Sequence, residues 1–379
     1  MAYWRLSSFY FFFFTTVGAL VPYWGLYLQN LGFSAAEIGQ LMAALMITKI
    51  ISPNLWGWLA DYTGRRLTMV RLGALLALCA FVGVTLGSSY GGLMVAMSLF
   101  GFFWHAILPQ YEVITLNHLG LKSRRYTQIR LWGSIGFVAA VALLGPWLEF
   151  YGVATLPLVI LLFIVAMCGA SLLTRAETEL PGLDKKTSII GVLLRSDVVA
   201  LFAVCFLAQA SHGPYYTFYS IYLEGEGYSR TLIGLMWALG VIAEIGVFLV
   251  VHRLYGYVTL RNLLLVSLHL TTLRWLFIGL YPDNVVILLL AQALHAASFG
   301  LYHAVAIQFI HRYFVGAHQG RGQALYSSVS FGAGGAIGSL YSGYMWDQWG
   351  ATTTFVVAAL LSVSAAAVTW RWVQVSDQA

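Results

Sequence analysis

Long apolar stretches recur roughly every thirty residues along the whole chain, each near the ~20 residues an α-helix needs to cross the ~30 Å hydrocarbon core of a bilayer. That recurrence constrains the fold more than any single motif, because lipid offers backbone polar groups no water and admits only helices and closed barrels. The alternation of barrel strands is absent. Twelve helical spans are predicted, over residues 7–30, 36–58, 67–87, 91–113, 128–150, 153–174, 198–223, 230–251, 260–281, 284–310, 323–346 and 351–371. With 60% apolar and 9% charged residues and a mean hydropathy of +0.80, the chain falls outside the soluble range and requires a lipid bilayer as its solvent. The opening MAYWRLSSFYFFFF has one cation before an apolar run too long for a signal-peptide core, and no small-residue cleavage site interrupts it. It is expected to stay as the first span.

Cations near span ends stay on the cytoplasmic side. With the N-terminus inside, every Lys and Arg except Lys49, Arg230 and Arg274 falls in an inner segment, and the outer loops hold only Arg230. Both termini are therefore expected in the cytoplasm, in a cell inner membrane. The same asymmetry explains the net charge of +6 without a nucleic-acid partner, anionic lipid headgroups being the counter-charge. Cys79, Cys168 and Cys205 each sit in an apolar span with no paired or metal-ligand spacing, so neither a metal nor an organic cofactor is expected. The glycine-rich GAHQGRGQ, residues 316–323, joins two spans instead of following a strand, which excludes a phosphate loop.

The chain carries an internal repeat. YLQNLGFSAAEIG, residues 27–39, matches YLEGEGYSRTLIG, residues 222–234, through Tyr27/Tyr222, Leu28/Leu223, Gly32/Gly227, Ser34/Ser229, Ile38/Ile233 and Gly39/Gly234, all at one offset of 195. At that offset Gln128 answers Gln323, and Lys49 in the second span answers Glu244 in the eighth. Residues 174–197 are the most polar stretch, with Pro181, Gly182 and mixed charges. The expected division is thus a six-helix bundle over 1–174, a cytoplasmic linker over 175–197 and a second six-helix bundle over 198–379.

After the second span the chain reads Gly57-Trp58-Leu59-Ala60-Asp61-Tyr62-Thr63-Gly64-Arg65-Arg66. This resembles the major facilitator signature G-x-L-a-D-r-x-G-r-k, departing only at Tyr62. A tight turn explains the pattern: glycines permit close approach and positive φ, Asp61 can face a helix N-terminus, and Arg65 and Arg66 hold the loop inside. The resemblance implies an all-α major facilitator fold of twelve helices in two pseudo-symmetric bundles with a mid-bilayer site, and a cytoplasmic gate at Gly57, Asp61, Gly64, Arg65 and Arg66. The equivalent loop of the second half, HRLYGYVTLRN, keeps basic ends but lacks the Asp.

RLWGSIGF, residues 130–137, with Glu112 eighteen positions before it, is similar to the lactose permease group, and PYW (22–24) with RLWGS (130–134) is similar to the 3-phenylpropionate permease branch. The first likeness implies that Glu112 pairs with Arg130 near the substrate. It also implies a proton site around Glu244, Arg274 and one of His295 or His303. The chain departs in having no carboxylate on the tenth span with those histidines.

Ionisable groups inside spans point the same way, since each costs about 2.5–3.5 kcal/mol at a helix centre unless it faces a cavity or a partner. Lys49, Glu244, Arg274, His212, His295, His303 and Glu112 are such groups. His295 and His303, eight apart, can share a helix face with Tyr302 and can carry a proton. Tyr23, Trp24 and Tyr27 in the first span and Tyr215, Tyr216, Tyr219 and Tyr222 in the seventh lie at matching levels beside Pro22 and Pro214, prolines that can open a helix locally. They read equally as interfacial belts or as a cavity lining. With Lys49 and Arg274, such a lining suits a flat anion. Gly334, Gly338 and Ser342, with Gly133 and Gly136, are expected to let helices pack closely at the interface between halves.

These features predict a non-enzymatic, monomeric secondary transporter working by alternating access. Its expected partners are the bilayer and a small-molecule substrate, a small organic solute such as an aryl carboxylate taken up with a proton. Lys49, Arg274, Tyr23, Trp24, Tyr27, His212, Tyr216 and Tyr219 are the substrate residues, and Glu244, His295, His303, Glu112 and Arg130 the coupling residues. Nucleoside or sugar symport, a drug/proton antiporter (Gly136 to Gly145-Pro146 copies part of that family's motif) and a non-transporting membrane sensor are the alternatives.

Overall fold

The computed structural model describes residues 2–120, 125–175 and 188–373. Much of the expected linker, with Lys185 and Lys186, and the loop cations Lys122 and Arg124 lie outside the described residues. The described chain is helical throughout and contains no strand. Its elements are α1 (Ala2–Asn30), α2 (Ala35–Thr63), α3 (Arg66–Leu86), α4 (Tyr90–Leu119), α5 (Tyr126–Tyr151) and α6 (Leu156–Leu173). A short α7 (Ile190–Leu193) leads into α8 (Ser196–Ser211), α9 (Gly213–Gly225), α10 (Arg230–Leu254), α11 (Leu260–Leu280), α12 (Val285–Ala293), α13 (Tyr302–Tyr313), α14 (Gln319–Ser327) and α15 (Gly335–Trp372).

Eleven stretches among the described residues are long and apolar enough to span a membrane. The last, Gln319–Trp372, runs for 54 residues and turns at Gly350, whose φ of 79° breaks the helix inside α15. At ~1.5 Å per residue that run covers two crossings, and Gly350 falls in the gap expected between the last two spans. The chain is a multi-pass membrane protein.

Three spans are less regular than their apolar pattern indicates. The seventh is cut at His212 into α8 and α9, with Pro214 at the start of α9 where its missing N–H costs nothing. Pro22, by contrast, lies within an unbroken α1. The tenth widens into a π-turn at Ala296–Leu301 between α12 and α13, and a second π-turn, Ser328–Gly334, joins α14 to α15.

The repeat in the sequence is a repeat in backbone geometry. Gly32 has φ 88° and Gly227 φ 86°, the left-handed conformation that favours glycine. Ser34 then accepts a hydrogen bond from the Glu37 N–H and Glu37 reaches back to Ser34 N–H, a capping box, while Ser229 caps Leu232 N–H at 3.2 Å.

The chain forms two compact units, Met1–Gly182 with Gly227–Ala238, and Leu183–Glu226 with Leu239–Ala379. In the first unit α1 lies along α5 because Gly136 removes the Cβ that would stand 2.3 Å from the Phe11 carbonyl. The start of α10 joins this unit by the same device. A Cβ on Gly145 would meet the Arg230 carbonyl at 2.6 Å, and Glu149 accepts hydrogen bonds from the N–H and hydroxyl of Thr231. In the second unit Gly213 and Gly338 bring α9 and α15 together, a Cβ on Gly213 falling 2.2 Å from the Gly338 carbonyl carbon. Gly334 approaches the Phe206 carbonyl of α8, and Ser342 is buried along the same helix. The small-residue stripes therefore pack within each unit, with Gly133 and Gly136 against α1 and Gly334 and Gly338 against α8 and α9. This corrects their expected place between halves: small residues permit any close crossing, and spacing alone does not name the partner helix.

Candidate functional site

Among the described residues each unit holds a cluster of charged and polar groups, half-buried in the first unit and largely buried in the second. In the first unit it is built on α2, α4, α5 and α1. Gly101 lets α4 approach α2, since a Cβ there would meet Thr48 Oγ1 and Leu45 Cδ1 at 2.8 Å. This brings His105 of α4 to Thr48, Nδ1 to Oγ1 3.0 Å, beside Lys49. Seven residues on, two helical turns along the same face, Glu112 hydrogen-bonds to the Tyr126 phenol of α5 and feels the charges of Arg130 and Lys49. Arg130 folds over Gly133 onto the Phe14 ring, 3.9 Å from its centre, with Tyr10 at 5.8 Å. The expected Glu112 and Arg130 are thus neighbours coupled through space, and the guanidinium rests on an aromatic face. Glu112 thus feels two cations, Arg130 of α5 and Lys49 of α2.

The aromatic residues expected in the first half serve helix packing. The Tyr23 hydroxyl donates to the Val141 carbonyl at 2.8 Å, and Trp24 Nε1 contacts Met97 Sδ at 3.3 Å with its ring beside Tyr27 and Phe81. All three are buried.

At the turn after α2, Gly64 adopts φ 61° and closes the helix through its N–H to the Ala60 carbonyl. Asp61 pairs with the Arg66 guanidinium, which also donates to Gln110 of α4, and Gly57 leaves room for that Gln110 amide. The expected gate residues thus tie the end of α2 to the starts of α3 and to α4. Asp61 meets an arginine side chain, Arg66, instead of a helix terminus. Arg65 is exposed at the turn.

The second unit's cluster centres on Arg274 of α11, which has 0% exposure. Its Nε donates to the Ala291 carbonyl at 3.0 Å, Nη1 to Ser298 Oγ at 3.0 Å and Nη2 to Gln292 Oε1 at 3.5 Å. The guanidinium stacks over Tyr215, 4.0 Å, and Trp275, 4.7 Å from the ring centres. Tyr215 donates to the same Gln292 oxygen at 2.9 Å. His295 Nε2 faces Glu244 Oε2 at 3.6 Å. Two glycines make room: a Cβ on Gly300 would stand 3.1 Å from Glu244 Cγ, and one on Gly240 would stand 3.3 Å from Gln292 and His295. Across the π-turn the rings of His295, Phe299 and His303 stack in a file, centres 5.5 and 5.8 Å apart and planes within 5° and 4°. His303 Nδ1 meets the Tyr326 hydroxyl at 2.9 Å. Tyr302 leaves the expected shared face and bonds to the Cys205 carbonyl; the widened turn re-registers the helix.

His212, at the α8–α9 break, donates from Nδ1 to the Ala208 carbonyl at 2.7 Å and packs edge-on to Trp275 and against Tyr216. Tyr219 lies 4.9 Å from Tyr215. His212 Nε2, His295 Nδ1 and Gln292 Nε2 are buried without a hydrogen-bond partner among the described residues. His105, Tyr126, Gln292 and Ser298 were not expected from the sequence. Gln292, three positions before His295, carried a spacing signal; His105 needed the α2–α4 crossing to show its neighbours.

The sequence model of the MFS_1 like family matches residues 3–357. The chain belongs to the MFS_1 like family. This MFS_1 like protein is 28% identical over 358 residues to an Escherichia coli (strain K12) protein described as a probable 3-phenylpropionic acid transporter, covering 92% of each chain. It is also 28% identical over 350 residues to a maltose permease of Geobacillus stearothermophilus, covering 90% of this chain and 87% of the permease. Among solved structures it is similar to a mutant of the nucleoside transporter NupG, with a TM-score of 0.88 at 16% identity, covering 98% of this chain and 99% of the other. Together these make the MFS_1 like chain a secondary transporter with the major facilitator fold, whose family and structural neighbours are transporters.

Proposed function

We propose that this protein takes up a small organic monoanion, an aryl carboxylate such as 3-phenylpropionate, together with a proton, by alternating access in a cell inner membrane with both termini in the cytoplasm. The observation that carries this reading is the division of charge between the units. In the first unit Arg130 and Lys49 both act on Glu112, and this concentration of positive charge attracts a monoanion. In the second, the carboxylate of Glu244 faces a titratable imidazole under the field of Arg274. A proton arriving at the Glu244–His295 pair changes the net charge of a desolvated site, and buried charge is what a membrane interior tolerates least. Lys49 supplies the charge for the carboxylate. Arg274, with its donors engaged by Ala291, Ser298 and Gln292, contributes its field. The buried His212, His295 and Gln292 atoms left unpartnered in this state support a second state that satisfies them.

The likeness to a 3-phenylpropionic acid transporter supports the aryl carboxylate, and the fold shared with NupG keeps a nucleoside as the second reading. Proteoliposomes under an imposed inward proton gradient distinguish them. Labelled 3-phenylpropionate is expected to accumulate while uridine and maltose do not; accumulation of uridine alone replaces the reading with nucleoside symport.

A further inference from the structure

We infer that the start of α10 is a releasable clasp on α5, held shut in this structure by Glu149, and that it opens and re-forms in every transport cycle. The inference rests on the alternating-access reading and on no particular substrate. The clasp lies where α5 finishes and α10 begins, the outer side in the proposed orientation. An α-helix starts with free N–H groups and ends with free carbonyls, and here each end meets the other helix. Glu149, in the last turn of α5, accepts from the Thr231 N–H at 3.1 Å and from the Thr231 hydroxyl, placing a carboxylate at the positive end of α10. Arg230, at the first position of α10, donates from Nη1 to the Leu148 carbonyl at 2.8 Å, placing a cation at the negative end of α5. Two glycines let the backbones meet. A Cβ on Gly145 would stand 2.6 Å from the Arg230 carbonyl and 2.9 Å from Thr231 Cα, and one on Gly234 would fall on the Val141 carbonyl and on the Tyr23 hydroxyl bonded to it.

The internal repeat shows that these groups are added to the duplicated frame and not required by it. At the offset of 195, Arg230 and Thr231 answer Ala35 and Ala36, Leu232 answers Glu37, and Glu149 answers Tyr344. In the first half α2 supplies its own carboxylate, Glu37, in the capping box with Ser34. In the second half that position is Leu232, and the carboxylate comes from another helix. Thus α2 is capped whatever its neighbours do, whereas the start of α10 has its carboxylate only while it lies on α5. The contact is also built to part. Glu149 is exposed, so it and the Thr231 groups can exchange one another for water on release, at the small net cost of hydrogen bonds traded for hydrated ones. The glycines meet backbone, with no long side chains to disengage. Release matters because of what α10 carries. Residues Gly227–Ala238 pack with the first unit, and from Leu239 on the helix packs with the second. Gly240 lies against Gln292 and His295, and Glu244, about 20 Å along the helix from Thr231, faces His295. One continuous helix therefore joins the clasp to the proposed proton site, and opening the clasp frees the first turns of that helix from α5.

The test uses the full-length protein with Cys79, Cys168 and Cys205 replaced by serine. Glu149→Cys combined with Thr231→Cys is joined by a short bis-thiosulfonate cross-linker and freed by reductant. In proteoliposomes, exchange of labelled 3-phenylpropionate above the protein-free background is expected to be lost on cross-linking and to return with reductant. The conformation is read separately in detergent, without substrate. Ile233 is 0% exposed on the clasped turn, so a cysteine placed there by Ile233→Cys is expected to react slowly with a maleimide, and several-fold faster when Glu149→Ala is added. Thr231→Val, which removes one of the two bonds to Glu149, is expected to act in the same direction and replaces Glu149→Ala if that variant fails to fold. Full exchange by the cross-linked protein, or a labelling rate that neither substitution changes, overturns the inference and makes the contact a fixed part of the frame. A parent protein that exchanges no 3-phenylpropionate overturns the substrate reading alone, and the labelling rates then decide the clasp.

Discussion

Replacing Arg274 by lysine keeps the charge and removes the planar fork. The structure gives the cost. Lysine cannot reach the Ala291 carbonyl, Ser298 Oγ and Gln292 Oε1 together, so the Nε bond and at least one Nη bond are lost. Hydrogen bonds to charged groups contribute about 1.5–3 kcal/mol in soluble proteins, and interhelical polar contacts in membranes about 0.6–2 kcal/mol. The guanidinium also stacks on Tyr215 and Trp275, which is worth roughly 1 kcal/mol at a desolvated site. Together these predict a loss of roughly 2–5 kcal/mol, with Gln292 still held by Tyr215 and the Ala291 carbonyl left short of a partner. Cys205 provides the assay: it is 0% exposed in the second unit, so a thiol-reactive fluorophore reports its exposure on heating when Cys79 and Cys168 are replaced by serine. At about 2 °C per kcal/mol for a large chain, the midpoint is expected to fall by several degrees with little change in substrate affinity. A midpoint within about 1 °C of wild type, with affinity for 3-phenylpropionate sharply reduced, would refute this reasoning and make Arg274 a direct substrate ligand.

Two further perturbations test the frame and the turn. Gly213→Ala places a Cβ 2.2 Å from the Gly338 carbonyl carbon and is expected to destabilise by about 1–3 kcal/mol or more, whereas Gly246→Ala, with nothing within 4 Å, leaves the Cys205 melting curve in place. Asp61→Asn removes the Arg66 pair at a side chain 68% exposed; stability is expected to stay within about 1 kcal/mol while the rate of substrate exchange falls several-fold at unchanged affinity, as a gate contact requires.

The parts of the fold legible in the sequence are those where one residue type has one backbone use. Gly32 and Gly227 repeat because each turn needs a positive φ, Gly64 ends α2 for the same reason, and Gly350 divides the last two spans. Apolar length then gives the crossings, since lipid admits little else. What stayed hidden depends on which helices touch. The π-turns at Ala296–Leu301 and Ser328–Gly334 widen helices whose apolar pattern does not change, and glycine spacing announces a close crossing without naming the other helix. The charged residues of the candidate site were legible because a charge in a span is rare; their assignments were not. Arg274 reads in sequence as a substrate and proton-site residue and lies among five neighbours in the structure, and His105 carries no signal in sequence until Gly101 brings it to Thr48.

The central claim, proton-coupled anion uptake, is tested most directly by driving protons with substrate. Proteoliposomes containing a trapped pH dye and no imposed gradient receive external 3-phenylpropionate, with protein-free liposomes correcting for passive entry of the undissociated acid. Internal acidification above that background is predicted for the wild type. It is predicted to be absent in Glu244→Gln, which still exchanges labelled substrate across the membrane. Substrate entry with no acidification above background, or a Glu244→Gln protein that acidifies as the wild type does, would contradict the account.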